Sequence, residues 1–421
     1  MQKSLARQGF YQMLWFGGGS IMKRLHILNL FLVVSLCLSG CAKEAAPSVA
    51  PSSVADWPVR WEEHMSFNNV TCRIDAEITI KPDYAPEIYT CERTPFDAAR
   101  VDAVVDYFTA DAIGMAELLR TKRDVLEDMK ILEILMQRGE IDPVEGQVYM
   151  DELREELAAA PEETFSTPRD IPSLPCTYVF QTRDDRRIYL GANSSGFQVN
   201  IGHNNILARG DAFDVPQPSI SEQEALEEAT GVLKDLQIHL TYANGVPAAI
   251  KNSLNETITT GWYLTFSMTT QNSLPFDLYG CGSLANNREA DYSAPWFAET
   301  AFLFIDESGV RQFAWYDRMR VTAQSQADNL LPLAQIQQAF KQYIADCLRW
   351  TEESQIQDLS YDFYQLRLTN VLTPVKNEPQ FAAFTPAWVL YGNETADGRT
   401  SGPFILCVDA ATGKRLNPFT R

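Results

Sequence analysis

Phe404-Ile405-Leu406-Cys407-Val408-Asp409-Ala410-Ala411-Thr412-Gly413, close to the C-terminus, is the stretch whose reading decides the expected fold. An apolar strand ends in an acid, and the glycine that follows permits the positive φ of a tight turn. The same unit occurs earlier as Phe302-Leu303-Phe304-Ile305-Asp306-Glu307-Ser308-Gly309. Working outward, each copy follows a helix and further strands. In the first, Ser221 opens a helix over 221–235 with Glu224 three residues on, a capping box. Its apolar face is Ala225, Leu226, Ala229 and Leu233. In the second, a helix over 333–350 precedes strands around 361–369 and 387–391. Strand-Asp-x-x-Gly is also a common hairpin ending, but the shared order reads as a weak internal repeat.

Upstream, residues 72–80 alternate, with Cys72, Ile74, Ala76, Ile78 and Ile80 on one side and Arg73, Asp75, Glu77 and Thr79 on the other. This is a half-buried strand, and 87–93 reads as a second. Thr94-Pro95-Phe96-Asp97 supplies an N-cap, a proline at the first position and an early acid. Val101, Val104, Val105 and Phe108 form the face of the helix they open. A longer helix is expected over 115–138 and another over 144–159, joined by a break at 139–143 into an αα-hairpin. Past Pro161 come strands at 177–182 and 186–191 around an Asp184-Asp185 turn, then 197–201, 261–269 and 301–306.

The expected fold class is therefore α+β. N-terminal strands and a helical hairpin (59–163) precede antiparallel sheets with packed helices in two units, 164–325 and 326–421.

Residues 1–58 carry a different message. Met22-Lys23-Arg24 is a positive start, and 27–38 is an apolar run broken only by Asn29 and Ser35. That is the layout of an export signal, too short to span a bilayer comfortably as a permanent helix. It ends in Leu38-Ser39-Gly40-Cys41, which resembles a bacterial lipobox; the resemblance implies that Cys41 becomes the first mature residue and carries a diacyl lipid of the palmitate class. An ordinary signal peptide with an incidental cysteine is the plainer alternative. Residues 1–21 fit no part of the signal, and Gly17-Gly18-Gly19 can encode a ribosome-binding sequence, so translation is expected to start at Met22. Residues 1–40 form the signal region, and 41–58, rich in Ala, Pro and Ser, reads as a lipidated tether. The expected location is the extracytoplasmic face of the cell membrane.

The formal charge is −20. Residues 1–40 hold four cations (Lys3, Arg7, Lys23, Arg24) and no acid, so processing would take it to −24. Such a body is repelled by nucleic acid and by anionic lipid, leaving the lipid on Cys41 as the anchor. Six cysteines follow Cys41 without a CxxC pair. Their spacing fits no zinc motif, and export permits either disulfides or free thiols.

Val408-Asp409-Ala410-Ala411-Thr412-Gly413-Lys414, preceded by Pro386-Ala387-Trp388-Val389-Leu390, resembles the end of a PepSY-type module, a helix packed on a small antiparallel sheet. Residues 301–415 are similar to the YycH/YycI-type proteins that regulate a cell-wall sensor kinase. The mature chain as a whole resembles an uncharacterised family of Gram-positive lipoproteins. The resemblance implies two PepSY-like units of a binding or regulatory kind and brings no catalytic residues with it. Those regulators hang from a transmembrane helix, which a lipid would replace here.

Motifs for zinc proteases, serine hydrolases, P-loops and dinucleotide binding are missing from the sequence. No cofactor and no metal site is expected. Cys281, in Gly280-Cys281-Gly282-Ser283, is the nearest approach to a nucleophile loop, with His203 or His239 as the conceivable base. Asp97/Asp102/Asp106 and Asp151/Glu152/Glu155/Glu156 read as solvated helix faces. The segment 276–297 is long for a loop and aromatic. Phe276, Tyr279, Arg288, Tyr292 and Trp296 are its candidate binding residues, although the same aromatics suit an insertion plugged onto a sheet. The expected function is a non-enzymatic, lipid-anchored envelope protein that binds a protein or peptide partner. A solute-binding lipoprotein is the alternative, and a hydrolase of unfamiliar type a lesser one.

Overall fold

The computed structural model describes residues 57–67, 70–82, 84–202, 206–209, 215–270, 273–275, 282–283, 290–327, 329–348, 359–396 and 398–418. The signal region, Leu38, Ser39, Gly40 and Cys41, and most of the tether lie outside them. So do Phe276, Tyr279, Cys281 and Arg288.

The chain begins one sheet, leaves it to build a second, and returns. Strands β1 (Arg60–Phe67), β2 (Val70–Thr79) and β3 (Glu87–Arg93) belong to the first sheet. Helix α1 (Ala98–Thr109) and strand β4 (Ala112–Glu117) open the second. Helices α2 (Lys122–Gln137) and α3 (Pro143–Ala159) then form the expected hairpin. The second sheet continues with β5 (Cys176–Thr182), β6 (Arg187–Asn193), β7 (Gly196–Ile201) and β8 (Ile206–Arg209). Helix α4 (Glu222–Asp235) intervenes before β9 (Thr241–Lys251) and β10 (Thr257–Ser267). Two-residue strands β11 (Gly282–Ser283) and β12 (Tyr292–Ser293) touch the first sheet. Strands β13 (Thr300–Asp306) and β14 (Gly309–Tyr316) complete the second. The return consists of β15 (Met319–Gln326), helix α5 (Leu333–Leu348), β16 (Leu359–Pro374), β17 (Phe381–Ala396), β18 (Arg399–Asp409) and β19 (Arg415–Asn417).

The first sheet runs β1-β2-β16-β17-β18-β19-β12, with β3 joining β17 to β15; the second runs β4-β5-β6-β7-β14-β13-β10-β9-β8. These pairings correct the expected fold class. Strand dominates, with nineteen strands against five helices among the described residues. The C-terminal segment does not close a small self-contained PepSY-like unit, and β1–β3 are not an N-terminal domain. Instead, β2 lies parallel to β16, Ile74 level with Phe363, and β3 pairs with β15 and β17. The cause is burial. Cys72, Ile74 and Ala76 form the apolar side of β2, as their alternation requires. They are covered by Phe340, Tyr343 and Ile344 of α5 together with Trp388 and Leu406. A two-stranded ribbon has no such cover of its own.

The second core lies under α1 and α4, where Val101, Val104, Ala225 and Leu233 meet Leu264, Leu303, Phe313 and Trp315. Both closing turns form as the sequence requires. Asp306 Oδ1 accepts the Ser308 N–H at 2.8 Å, and Asp409 Oδ1 accepts the Thr412 N–H at 2.7 Å. Gly309 and Gly413 take φ of 101° and 72°. Local details also differ from expectation, and strands β1, β8, β14 and β15 form where none was expected. Asp97 caps α1, accepting the Arg100 N–H at 2.7 Å, rather than Thr94. The expected helix over 115–138 gives its first residues to β4. Strand β9 forms where no strand was expected, around Pro247. No helix among the described residues is long and apolar enough to cross a membrane.

Candidate functional site at the junction of the sheets

The first and the last of the crossings between sheets lie side by side. β14 leaves the second sheet through Asp317, whose φ of 52° turns the chain into β15 of the first. β3 leaves the first sheet through Thr94 toward α1. The Thr94 N–H donates to the Arg318 carbonyl at 2.8 Å, and the Asp317 N–H donates to the Ser195 carbonyl at 2.7 Å. The Arg93 guanidinium completes the junction, reaching Asp317 Oδ1 at 2.7 Å and Ser195 Oγ at 2.9 Å.

Beneath this junction sits Glu299, only 7% exposed. Oε1 accepts the Trp315 indole N–H at 2.8 Å, and Oε2 accepts the Met319 N–H at 2.9 Å. Burial pushes its carboxyl above the ordinary range, against the pull of those two bonds and of the nearby Arg318 and Arg100 charges. Trp315 is itself buried and meets Phe96 edge-on at 5.0 Å.

Two cations share the Trp315 ring. Arg100, from the first turn of α1, holds its Cζ 5.1 Å from the ring centroid, and Arg318 holds its own at 5.9 Å. Each distance suits a cation–π contact. The two charges are felt together, because burial and the neighbouring Arg318 both hold Arg100 below its ordinary value, with Glu299 and Asp97 opposing. Among the described residues neither guanidinium makes an ion pair or a side-chain hydrogen bond, and Arg100 Nε is buried without an acceptor. None of Arg100, Glu299 and Arg318 was singled out from the sequence. Glu299 left a trace, an acid interrupting the apolar run Trp296-Phe297-Ala298 and Ala301-Phe302; Arg100 and Arg318 left none.

The residues that were singled out lie elsewhere. Trp296 is buried beside Tyr89, Cys91, Met319 and Phe384, and so offers no binding surface. Tyr292 is exposed on β12, at the edge of the first sheet, where it accepts a hydrogen bond from Lys414 Nζ at 2.7 Å. The described end of the 276–297 segment thus lies along a sheet edge and in a core. Members of both acidic groups have structural partners. Asp102 accepts the Ile171 N–H at 3.1 Å, Asp151 pairs with Arg154 at 2.6 Å and Glu156 pairs with Arg120. Among the described residues no group of three or more His, Cys, Asp or Glu side chains is placed to hold a metal ion.

Cys72, Cys91 and Cys176 are free thiols. Burial pushes Cys72 and Cys91 up to about 12 and Cys176 to about 11, so none of these three is a thiolate at neutral pH. An apolar cleft of about 330 Å³ lies at the end of α4, lined by Leu233, Lys234, His239, Tyr242 and Phe266 among others.

No family model matches the sequence, and no curated protein matches it. A solved structure, that of an uncharacterized protein from Eubacterium rectale ATCC 33656, matches over 86% of this chain and 94% of its own, at 12% identity and a TM-score of 0.48.

Proposed function

We propose that this chain is a lipid-anchored extracytoplasmic protein that binds a protein or peptide at the cell envelope and catalyses no reaction. The observation that carries the reading is the order Met22-Lys23-Arg24, apolar 27–38, Leu38-Ser39-Gly40-Cys41. A positive start, a short apolar centre and small residues before a cysteine are what lipoprotein export and acylation require. The formal charge of −20 gives the body no affinity of its own for an anionic membrane. Attachment therefore falls to the acyl chains on Cys41, two of which suffice for stable anchoring.

The test is fractionation of cells expressing the wild type and Cys41→Ser, with labelled palmitate in the medium. The wild type should carry label and sediment with membranes, and the variant should do neither. A variant that stays membrane-bound sinks the anchor. Crosslinking in intact cells addresses binding, with Tyr279→Ala and Tyr292→Ala as comparisons. A specific partner lost in those variants supports the binding role, and the lack of any partner together with metabolite turnover by the purified protein overturns it.

A further inference from the structure

We infer that Arg100 and Arg318 form a binding site for the oxyanion of a ligand, a carboxylate or a phosphate group. The inference goes beyond the anchored binding role and concerns the body alone.

Four observations converge on it. First, the two guanidiniums stand over one indole, at 5.1 and 5.9 Å from its centroid. Their separation cannot exceed the sum of those distances, and like charges so placed repel. Second, Arg100 lies in the first turn of α1, which contains no acid of its own. A cation at that end opposes the helix dipole. Third, a guanidinium has five N–H donors, and Arg100 Nε is buried without an acceptor. Fourth, the chain has 55 acidic residues to 35 basic ones, so carboxylates to pair with an arginine are plentiful. Arg93, a few residues away, is paired with Asp317 in the usual manner. Arg100 and Arg318 are left open where the composition favours pairing.

The internal carboxylates do not use these donors. Glu299 spends its oxygens on the Trp315 and Met319 N–H groups, and Asp97 caps the helix. What remains is a pair of planar forks held in place by a buried aromatic ring. Such forks match carboxylate and phosphate oxygens two at a time. A bound oxyanion would relieve the repulsion and sit favourably at the helix end. Long-range repulsion by the acidic body is screened beyond about 8 Å at physiological salt, so the local charge decides.

The experiment is calorimetric titration of the full-length chain in detergent with sodium phosphate and, separately, sodium acetate, with chloride holding the ionic strength constant. Saturable binding of either anion is expected, and which one binds tells phosphate from carboxylate recognition. Arg318→Gln should weaken it by roughly tenfold or more, the scale of a lost hydrogen bond to a charged group. Arg318→Lys keeps the charge but loses the fork and should fall between; it decides the matter if Arg318→Gln does not fold. The absence of saturable binding by both anions overturns the site, as does equal binding by the wild type and Arg318→Lys and Arg318→Gln. Neither result bears on the anchor, which fractionation reads separately.

Discussion

Ile74→Ala tests the topology most directly. Ile74 is 1% exposed and lies in the middle of β2, level with Glu63 on one side and Phe363 on the other. Truncation removes three carbons at about 0.8 kcal/mol each, a transfer cost of about 2.4 kcal/mol. A residual cavity of roughly 40 Å³ adds about 1 kcal/mol at about 24 cal/mol per Å³. The total of about 3.4 kcal/mol lies inside the range of about 2–5 kcal/mol found for such truncations. The site of the damage matters as much as its size. Because β2 is the parallel neighbour of β16, the loss should appear in the strands that end the chain as well as in β1. Hydrogen exchange read by mass spectrometry measures this, through the opening free energy of peptides from 359–409. Those peptides should lose about 3 kcal/mol of protection along with 60–79. Unchanged protection at 359–409, with faster exchange confined to 60–79, would show β1 and β2 to be a separate layer and refute the reasoning.

Gly261→Ala should prevent stable folding or cost at least about 3 kcal/mol, because the new Cβ would lie 2.1 Å from the Ile305 carbonyl oxygen of β13. Gly231→Ala, inside α4 with open space around it, should instead stabilise by about 0.8–1 kcal/mol; urea midpoints compare the two, and equal effects would contradict the packing. Glu299 makes a pH prediction. Burial raises its carboxyl in the folded state, so its stabilising contribution is full below the unfolded value of about 4.3 and is lost as pH rises through the raised folded value. Glu299→Gln should flatten that decline in stability-versus-pH curves, and parallel curves for the two proteins would rule the titration out.

Local structure was legible wherever it depended on neighbours in sequence. The alternation at 72–80, the Ser221 capping box, the meander of β5, β6 and β7 and the two turns from Asp306 to Gly309 and from Asp409 to Gly413 all form from contacts within a few residues. The assembly was not legible, because it depends on pairings that bridge the chain. Ile74 and Phe363 are level in adjacent strands, with the whole second sheet between them in sequence. A strand-helix-strand order then looks modular although its strands belong to different sheets. The repeat around 302–309 and 404–413 predicts two turns, which form, and two units, which do not, since a turn motif specifies φ and not the partner of the strand before it. Trp296 shows the same limit. Its place in an aromatic, polar segment suited a surface, whereas burial is decided by Tyr89, Met319 and Phe384, which arrive from three other stretches.

The candidate oxyanion site leaves little trace in the sequence for a related reason, and its position follows from the topology. The second sheet is first entered and finally left through one junction. Crossing segments leave ladder hydrogen bonds behind, so their polar groups need other partners. Thr94 N–H, Asp317 N–H and the Arg93 side chain find them in Arg318 O, Ser195 and Asp317. Glu299 meets the same requirement from below through Trp315 and Met319. With those bonds made, the structural needs of the crossing are met without any hydrogen bond from the Arg100 or Arg318 guanidinium. Glu299 draws on both positive charges, but its oxygens are already bonded to Trp315 and Met319, so neither guanidinium donates to it. The hydrogen-bonding capacity of the two arginines therefore exceeds what the crossing demands, and an external oxyanion accounts for the excess.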